Sequence, residues 1–182
     1  IETLPMVHGI PTNAYSFIPS NSVATSAPKK EQGETQDALY KYGNEAGAYI
    51  QQFENKNKNM ARVLKDQFED PQSQEKTAAL IKLGEAIANV GRSLESIENV
   101  PTQAEAANTQ LAESYQIMGA KLALVPEAQT DEEKIAAMLA YNATVEAFVK
   151  NYISLVTLFS ITGVRFSTSD SGSVFTFSAP SF

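Results

Sequence analysis

Prolines divide most of this sequence into four segments with the apolar periodicity of α-helices. In each segment apolar residues recur at steps of three and four, the spacing of one helix face. The segments are residues 35–69, 71–98, 102–125 and 130–162. Pro71, Pro101 and Pro126 separate them, and proline disrupts a helix because it lacks the N–H and clashes with the preceding turn. Connections this short make neighbouring helices antiparallel, so the sequence predicts an all-α, up-and-down antiparallel four-helix bundle over residues 34–162.

Local signals refine the boundaries of these helices. Thr102-Gln103-Ala104-Glu105 and Thr130-Asp131-Glu132-Glu133 have the pattern of a capping box, in which the Thr and Glu side chains bind each other's backbone amides. Asp70 before Pro71 is expected to cap the second helix. A polar run, Asn55-Lys56-Asn57-Lys58-Asn59, interrupts the stripe of the first helix and predicts a bend there.

Glycines inside the predicted helices indicate close packing. Gly43 and Gly47 are four residues apart, and Gly84 and Gly91 are seven apart. Each costs about 1 kcal/mol relative to Ala inside a helix. The absence of a side chain lets two backbones approach, so we expect contacts within the bundle, with an oligomer interface as the alternative.

Both ends of the chain differ from the bundle. Residues 1–33 contain four prolines and several apolar side chains, which predicts an extended N-terminal arm that lies along a surface, the chain's own or a partner's. After Gly163 the apolar period becomes two, the period of a strand. Residues 163–182 therefore predict a small C-terminal β-hairpin and a tail packed on the bundle, since an isolated hairpin is marginal in water.

The chain lacks the residues that most catalytic and metal centres need. It contains no cysteine and one histidine, His8 in the arm. Without Cys, and without His in Glu-x-x-His or His-Glu-x-x-His spacing, thiolate, di-iron and zinc-protease sites are excluded. We therefore predict no catalytic residue, no metal and no cofactor, and the chain is expected not to be an enzyme.

The net charge and the hydropathy of the chain limit the classes of partner that can be expected. The formal net charge of −7 repels phosphate backbones, so nucleic acid is not expected. The most apolar stretch, residues 143–164, contains Glu146, Lys150 and Asn151, so no membrane span is expected. The predicted partner is another protein or a second copy of the chain, and the sequence names no small-molecule ligand.

Two groups of residues are candidate sites. Aromatic and apolar side chains near the ends suggest an interaction surface: Phe17, Ile18, Phe175, Phe177 and Phe182. For the last three, docking on the chain's own bundle is the alternative. Polar and phenolic side chains near the apolar stripes of the third and fourth helices suggest a polar core: Asn108, Tyr115, Asn142 and Tyr152. A buried amide needs a partner, and the two asparagines either fix the register of the helices or line a polar cavity.

These features favour binding or assembly over chemistry. The opening at Ile1 without Met, and a polar composition rich in Ser, Thr, Asn and Gln, are typical of an exported protein after removal of a signal peptide; a shortened chain is the alternative. We predict a non-enzymatic exported structural or protein-interaction protein, for instance a subunit of a surface or envelope assembly, located in the periplasm, at the cell surface or outside the cell. The alternative is a ligand-binding sensory or carrier bundle.

Overall fold

The computed structural model describes residues 33–176 and the backbone of two short strands before them. The strands β1 (Met6–Val7) and β2 (Ile10–Pro11) pair antiparallel, with Val7 opposite Ile10. The rest of the predicted arm and the tail after Thr176 lie outside the described residues.

Five α-helices make up most of the described chain. They are α1 (Glu34–Lys56), α2 (Met60–Glu69), α3 (Gln74–Glu95), α4 (Thr102–Leu124) and α5 (Asp131–Ile161). Short 3-10 turns occupy Val125–Glu127 and Ser171–Phe175. The regular elements of residues 33–176 are therefore all helical, which confirms the all-α class that the apolar periodicity predicts for residues 34–162.

The first predicted helix is in fact two helices, α1 and α2. The Asn57 side chain donates to the carbonyl of Phe53 at 2.8 Å, and Asn59 is the N-cap of α2. Asparagine side chains compete with the backbone for such bonds. The predicted bend is therefore a complete break at the polar run.

One predicted capping box is confirmed and one is wrong. The hydroxyl of Thr130 accepts from the Glu133 amide at 3.1 Å, and the Glu133 carboxylate accepts from the Thr130 amide at 3.0 Å. Thr102 instead lies inside α4, because Pro101 is the N-cap and offers no side-chain bond. The predicted cap at Asp70 is also wrong, since Ser73 caps α3 and accepts from the Lys76 amide at 3.4 Å.

Glycines set the closest helix pair, α3 and α4. A Cβ on Gly84 would lie 2.6 Å from the carbonyl oxygen of Gly119, and one on Gly91 would lie 2.6 Å from Gln116 Cγ. As the α3 residue number rises, the facing α4 number falls, so the two helices are antiparallel. The predicted close approach at Gly84 and Gly91 is a contact within the chain.

α4 and α5 are also antiparallel neighbours. The amide of Asn151 donates to the carbonyl of Gln110 at 3.2 Å, and the ring of Phe148 meets that of Tyr115 edge-on, with centroids 4.8 Å apart. α1 begins where α5 ends, because Gln36 Nε2 donates to the carbonyl of Thr162 at 2.6 Å.

The chain after α5 packs back onto α1. Gly163, with φ +73°, turns the backbone in a conformation that favours glycine. A Cβ on Gly43 would overlap the ring of Phe166, and one on Gly47 would lie 2.8 Å from the amide nitrogen of Gly172. The glycine pair in α1 therefore accommodates mainly the C-terminal segment, residues 164–176, although Phe159 of α5 also comes within 3.0 Å of a Cβ on Gly43.

The predicted C-terminal β-hairpin is wrong for the residues described. Ser171–Phe175 forms a 3-10 turn, in which Val174 and Phe175 are both buried, and no strand occurs in residues 163–176. The amides of this segment are bound locally or by α1: Gly172 donates to Asn44 Oδ1 at 2.9 Å and Ser173 donates to the carbonyl of Asp170 at 3.0 Å. With these bonds made, the segment forms a 3-10 turn.

A continuous set of ring contacts joins the C-terminal segment to the bundle. Phe175 lies between Tyr152 and Phe159, with centroids 5.5 and 5.3 Å away. Phe166 meets Phe159 edge-on at 5.1 Å and stacks on Tyr40 at 5.5 Å. The segment thus completes one core with the helices.

Hydropathy gives no sign of a transmembrane helix in the described residues. Among α1 to α5, none is both long enough and apolar enough to cross a bilayer. This agrees with the charges found inside the most apolar stretch of the sequence.

Substituting Gly47→Ala tests the seating of the C-terminal segment. The new Cβ would overlap the backbone at Ser171 and Gly172, and overpacking typically costs about 1–3 kcal/mol, more than the roughly 1 kcal/mol that alanine gains in a helix. Urea unfolding should show a net loss of stability. Gly33→Ala is the control, because nothing lies within 4 Å of its new Cβ; equal stability of the two variants would contradict this packing.

Candidate functional site

The structure describes five of the nine predicted site residues. Phe175 is buried among aromatic rings, so it contacts its own bundle and has to be removed from the candidate interaction surface. The other members of that surface lie outside the described residues: Phe17, Ile18, Phe177 and Phe182.

Asn108 lies at the meeting point of three helices. Its Oδ1 accepts from the hydroxyl of Tyr42 in α1 at 2.9 Å, and its Nδ2 donates to the carbonyl of Leu94 in α3 at 3.1 Å. Burial raises the pKa of Tyr42 well above its usual value, so the phenol stays a donor at physiological pH. Asn108 thereby links α1, α3 and α4 at one level.

Tyr115 and Tyr152 lie in the core on either side of Phe148. The rings of Phe148 and Tyr152 are 5.7 Å apart, and the hydroxyl of Tyr152 donates to the carbonyl of Val174. Burial raises the pKa of both phenols, and the charge of Glu54 in α1 raises the pKa of each further. The structure therefore brings the two predicted tyrosines together with a carboxylate.

Glu54 is the residue of this cluster that the sequence analysis missed. It is half-buried, and its Oε1 is enclosed without a hydrogen-bond partner. Burial raises its pKa from 4.5 to about 7. One signal was present: Glu54 follows the core residue Ile50 by four and Gly47 by seven, which places it on the packed side of α1.

Asn142 is partly buried in α5, and its Oδ1 is a second enclosed acceptor without a hydrogen-bond partner. No hydrogen bond in residues 33–176 joins Asn142 to Tyr115 or Tyr152, so by hydrogen bonds and ring contacts the four predicted polar-core residues form at least two groups. We call Glu54, Tyr115 and Tyr152 the Glu54 group. Because the pKa of Glu54 is raised to about 7, this group can take up or release one proton near neutral pH. Within residues 33–176, no group of Asp, Glu or His side chains is placed to hold a metal ion.

A different surface carries exposed apolar side chains. Ile135, Leu139, Ile153 and Ile161 of α5 are 62%, 64%, 45% and 75% exposed. An α-helix turns by about 100° per residue, so all four side chains leave the helix axis within a sector of about 80°. We call these four residues the α5 face. It extends for about 39 Å at 1.5 Å per residue, and the exposed Glu146 and Lys150 lie midway along it.

The composition of α5 explains why the sequence did not predict the α5 face. This helix is apolar nearly all round, which normally indicates full burial. Its packed side carries aromatic residues such as Phe148 and Tyr152 and β-branched residues such as Val145. The remaining apolar residues therefore face outward, away from α4.

Removing the phenol oxygen of Tyr42 should weaken the junction at Asn108. In Tyr42→Phe the Asn108 Oδ1 loses its donor and stays buried, which costs about 1–3 kcal/mol. Urea unfolding at pH 7 measures the loss. Tyr49→Phe, a partly exposed tyrosine on the same helix, is the matched control, and an equal effect in both variants would contradict a special role for Asn108.

The stability of the chain should fall as the pH rises from 5 to 8. Because the folded-state pKa of Glu54 is about 7 and the unfolded value is near 4.5, the folded state binds more protons in this range, and ΔG of unfolding decreases. Partial exposure screens the effect, leaving roughly 1–2 kcal/mol. Urea unfolding of Glu54→Gln should lack this component of the pH dependence. The control Glu45→Gln, exposed on the same helix, should retain it; an unchanged slope in Glu54→Gln would contradict the assignment.

Comparisons with known proteins returned no relative for this chain. No protein-family model matches it, and neither a curated protein nor a solved structure does. Its function therefore has to be argued from its own residues.

Proposed function

We propose that this chain is a non-enzymatic protein-interaction protein that assembles with copies of itself through the α5 face. In this proposal it is exported and serves as a subunit of a surface or envelope assembly. Its helices form an up-and-down antiparallel four-helix bundle, in which α1 and α2 together count as the first helix. The assembly needs no cofactor, and nucleic acid is not its partner.

The observation that carries the proposal is the exposure of the four apolar side chains of the α5 face. Scattered apolar residues are normal on a protein surface, but a row of Ile and Leu along one side of a helix is typical of a contact surface. Covering side chains that are half to three-quarters exposed would contribute roughly 1 kcal/mol each. Glu146 and Lys150 are opposite in sign, so two copies packed antiparallel bring unlike charges together.

A second candidate function, a ligand-binding sensory or carrier bundle, is favoured by the Glu54 group. Two enclosed acceptors, Glu54 Oε1 and Asn142 Oδ1, have no donor, and a buried polar group normally has one. A small ligand with an N–H or O–H group would satisfy the Glu54 acceptor. Retention of a bound small molecule through purification, detected by native mass spectrometry and lost in Glu54→Gln, would favour this candidate.

The test of assembly is light scattering coupled to size exclusion over a range of concentrations. The mass of the full chain should rise with concentration, and the double variant Leu139→Glu, Ile153→Glu should stay monomeric because carboxylates would be buried at the contact. Ile117→Glu is the matched control, since Ile117 is 51% exposed but lies on α4. A monomer at every concentration for the full chain, or equal association of both variants, would overturn the proposal.

A further inference from the structure

We infer that in the isolated chain the apolar part of the N-terminal arm, residues 4–18, occupies the α5 face of its own bundle. The inference rests on the proposed function, because the same face is the contact surface for a second copy. The arm then regulates assembly, since a second copy binds only when the arm leaves the face.

The start of the bundle lies beside one end of the α5 face. Gly33 precedes α1, its amide donates to Gln36 Oε1 at 3.3 Å, and Gln36 Nε2 donates to the carbonyl of Thr162 at 2.6 Å. Thr162 directly follows Ile161, the most exposed residue of the face. The arm is therefore tethered next to the surface that it is inferred to cover.

The lengths of the arm and of the face agree. The pairing of β1 with β2 folds residues 6–11 back on themselves, and residues 12–32, between β2 and α1, can span up to roughly 69 Å when extended. The α5 face is about 39 Å long. This connection is long enough to reverse the direction of the chain at Gly33 and to bring the paired strands to any point of the face between Ile161 and Ile135.

The chemistry of the arm suits this surface. Between Thr3 and Pro28 the sequence has no Asp, Glu, Lys or Arg, so covering the face buries no charge from the arm. The larger apolar residues of the segment inferred to bind, residues 4–18, are Leu4, Met6, Val7, Ile10, Tyr15, Phe17 and Ile18. A segment this apolar gains by leaving water.

A tethered segment has an advantage over a free partner. Because one end of the arm is fixed beside the face, its effective concentration there reaches the millimolar range for a flexible linker of suitable length. A second copy at lower concentration competes against it. Both copies need a free face, so the apparent association constant is reduced by the square of the fraction of chains whose face is free.

Paramagnetic relaxation measured by NMR on the full chain tests the inference. The chain has no cysteine, so Asn13→Cys gives one attachment point for a nitroxide in the arm. The isotope-labelled, spin-labelled chain is diluted into an excess of unlabelled chain without a nitroxide, so only contacts within one molecule broaden the signals. We expect loss of amide signal along the outer side of α5, from Ile135 to Ile161.

Variants decide whether the arm contacts the α5 face itself. The broadening should disappear when Leu139→Glu and Ile153→Glu are added to the spin-labelled chain, and persist when Ile117→Glu is added. The substituted side chains are exposed, and unchanged amide shifts in the core confirm that each variant is folded. No broadening on α5, or broadening that survives the double substitution, would overturn the inference.

A second measurement separates this inference from the proposed function. Replacing Phe17→Ser and Ile18→Ser should strengthen assembly in light scattering, by about a hundredfold if the arm covers each face for about nine-tenths of the time, because the faces of both copies must be free. Assembly of the full chain that is unchanged by these substitutions overturns arm docking and leaves the proposed function standing. Broadening on α5 in a chain that stays monomeric, with or without the two substitutions, supports arm docking and overturns the proposed function.

Discussion

Close backbone contact at glycines is the constraint on which the rest of the structure depends. Gly84 and Gly119 bring α3 and α4 together, while Gly43 and Gly47 leave room on α1 for the C-terminal segment. Each glycine lowers helix stability by about 1 kcal/mol relative to alanine. The dispersion contacts and buried area gained at such short distances offset this loss, and they fix which elements are neighbours.

The C-terminal segment converts a set of helices into one core. Without Phe166, Gly43 of α1 would lose its nearest neighbour, and without Phe166 and Phe175 the ring of Phe159 would lose its contacts with both. The segment is also tied by polar bonds, from Gly172 to Asn44 and from Tyr152 to Val174. A few residues after the last helix therefore determine the packing of the first.

Sequence patterns predicted what depends on neighbours along the chain. Apolar periodicity, the prolines and the box at Thr130 are local, so the helices were predicted well. The form of the C-terminal segment depends on Asn44 and Gly47, more than a hundred residues away, and an alternating pattern alone suggested a strand. The same limit applies to the site: Asn108 could be identified as a polar residue near an apolar stripe, but the group around Glu54 exists only because α1, α4 and α5 meet.

Two features depart from the usual arrangement, in which polar side chains lie outside and apolar side chains inside. The two departures have different consequences. Glu54 is a carboxyl enclosed beside phenols, and its raised pKa means that the fold is destabilised when the group is charged. The α5 face is the reverse case, with apolar side chains left in water. Departures of this kind are expected at functional sites. Glu54 provides one enclosed acceptor, whereas the α5 face provides four exposed apolar side chains, and covering them is the basis of the proposed assembly. The exposed face is therefore the stronger guide to what this protein does.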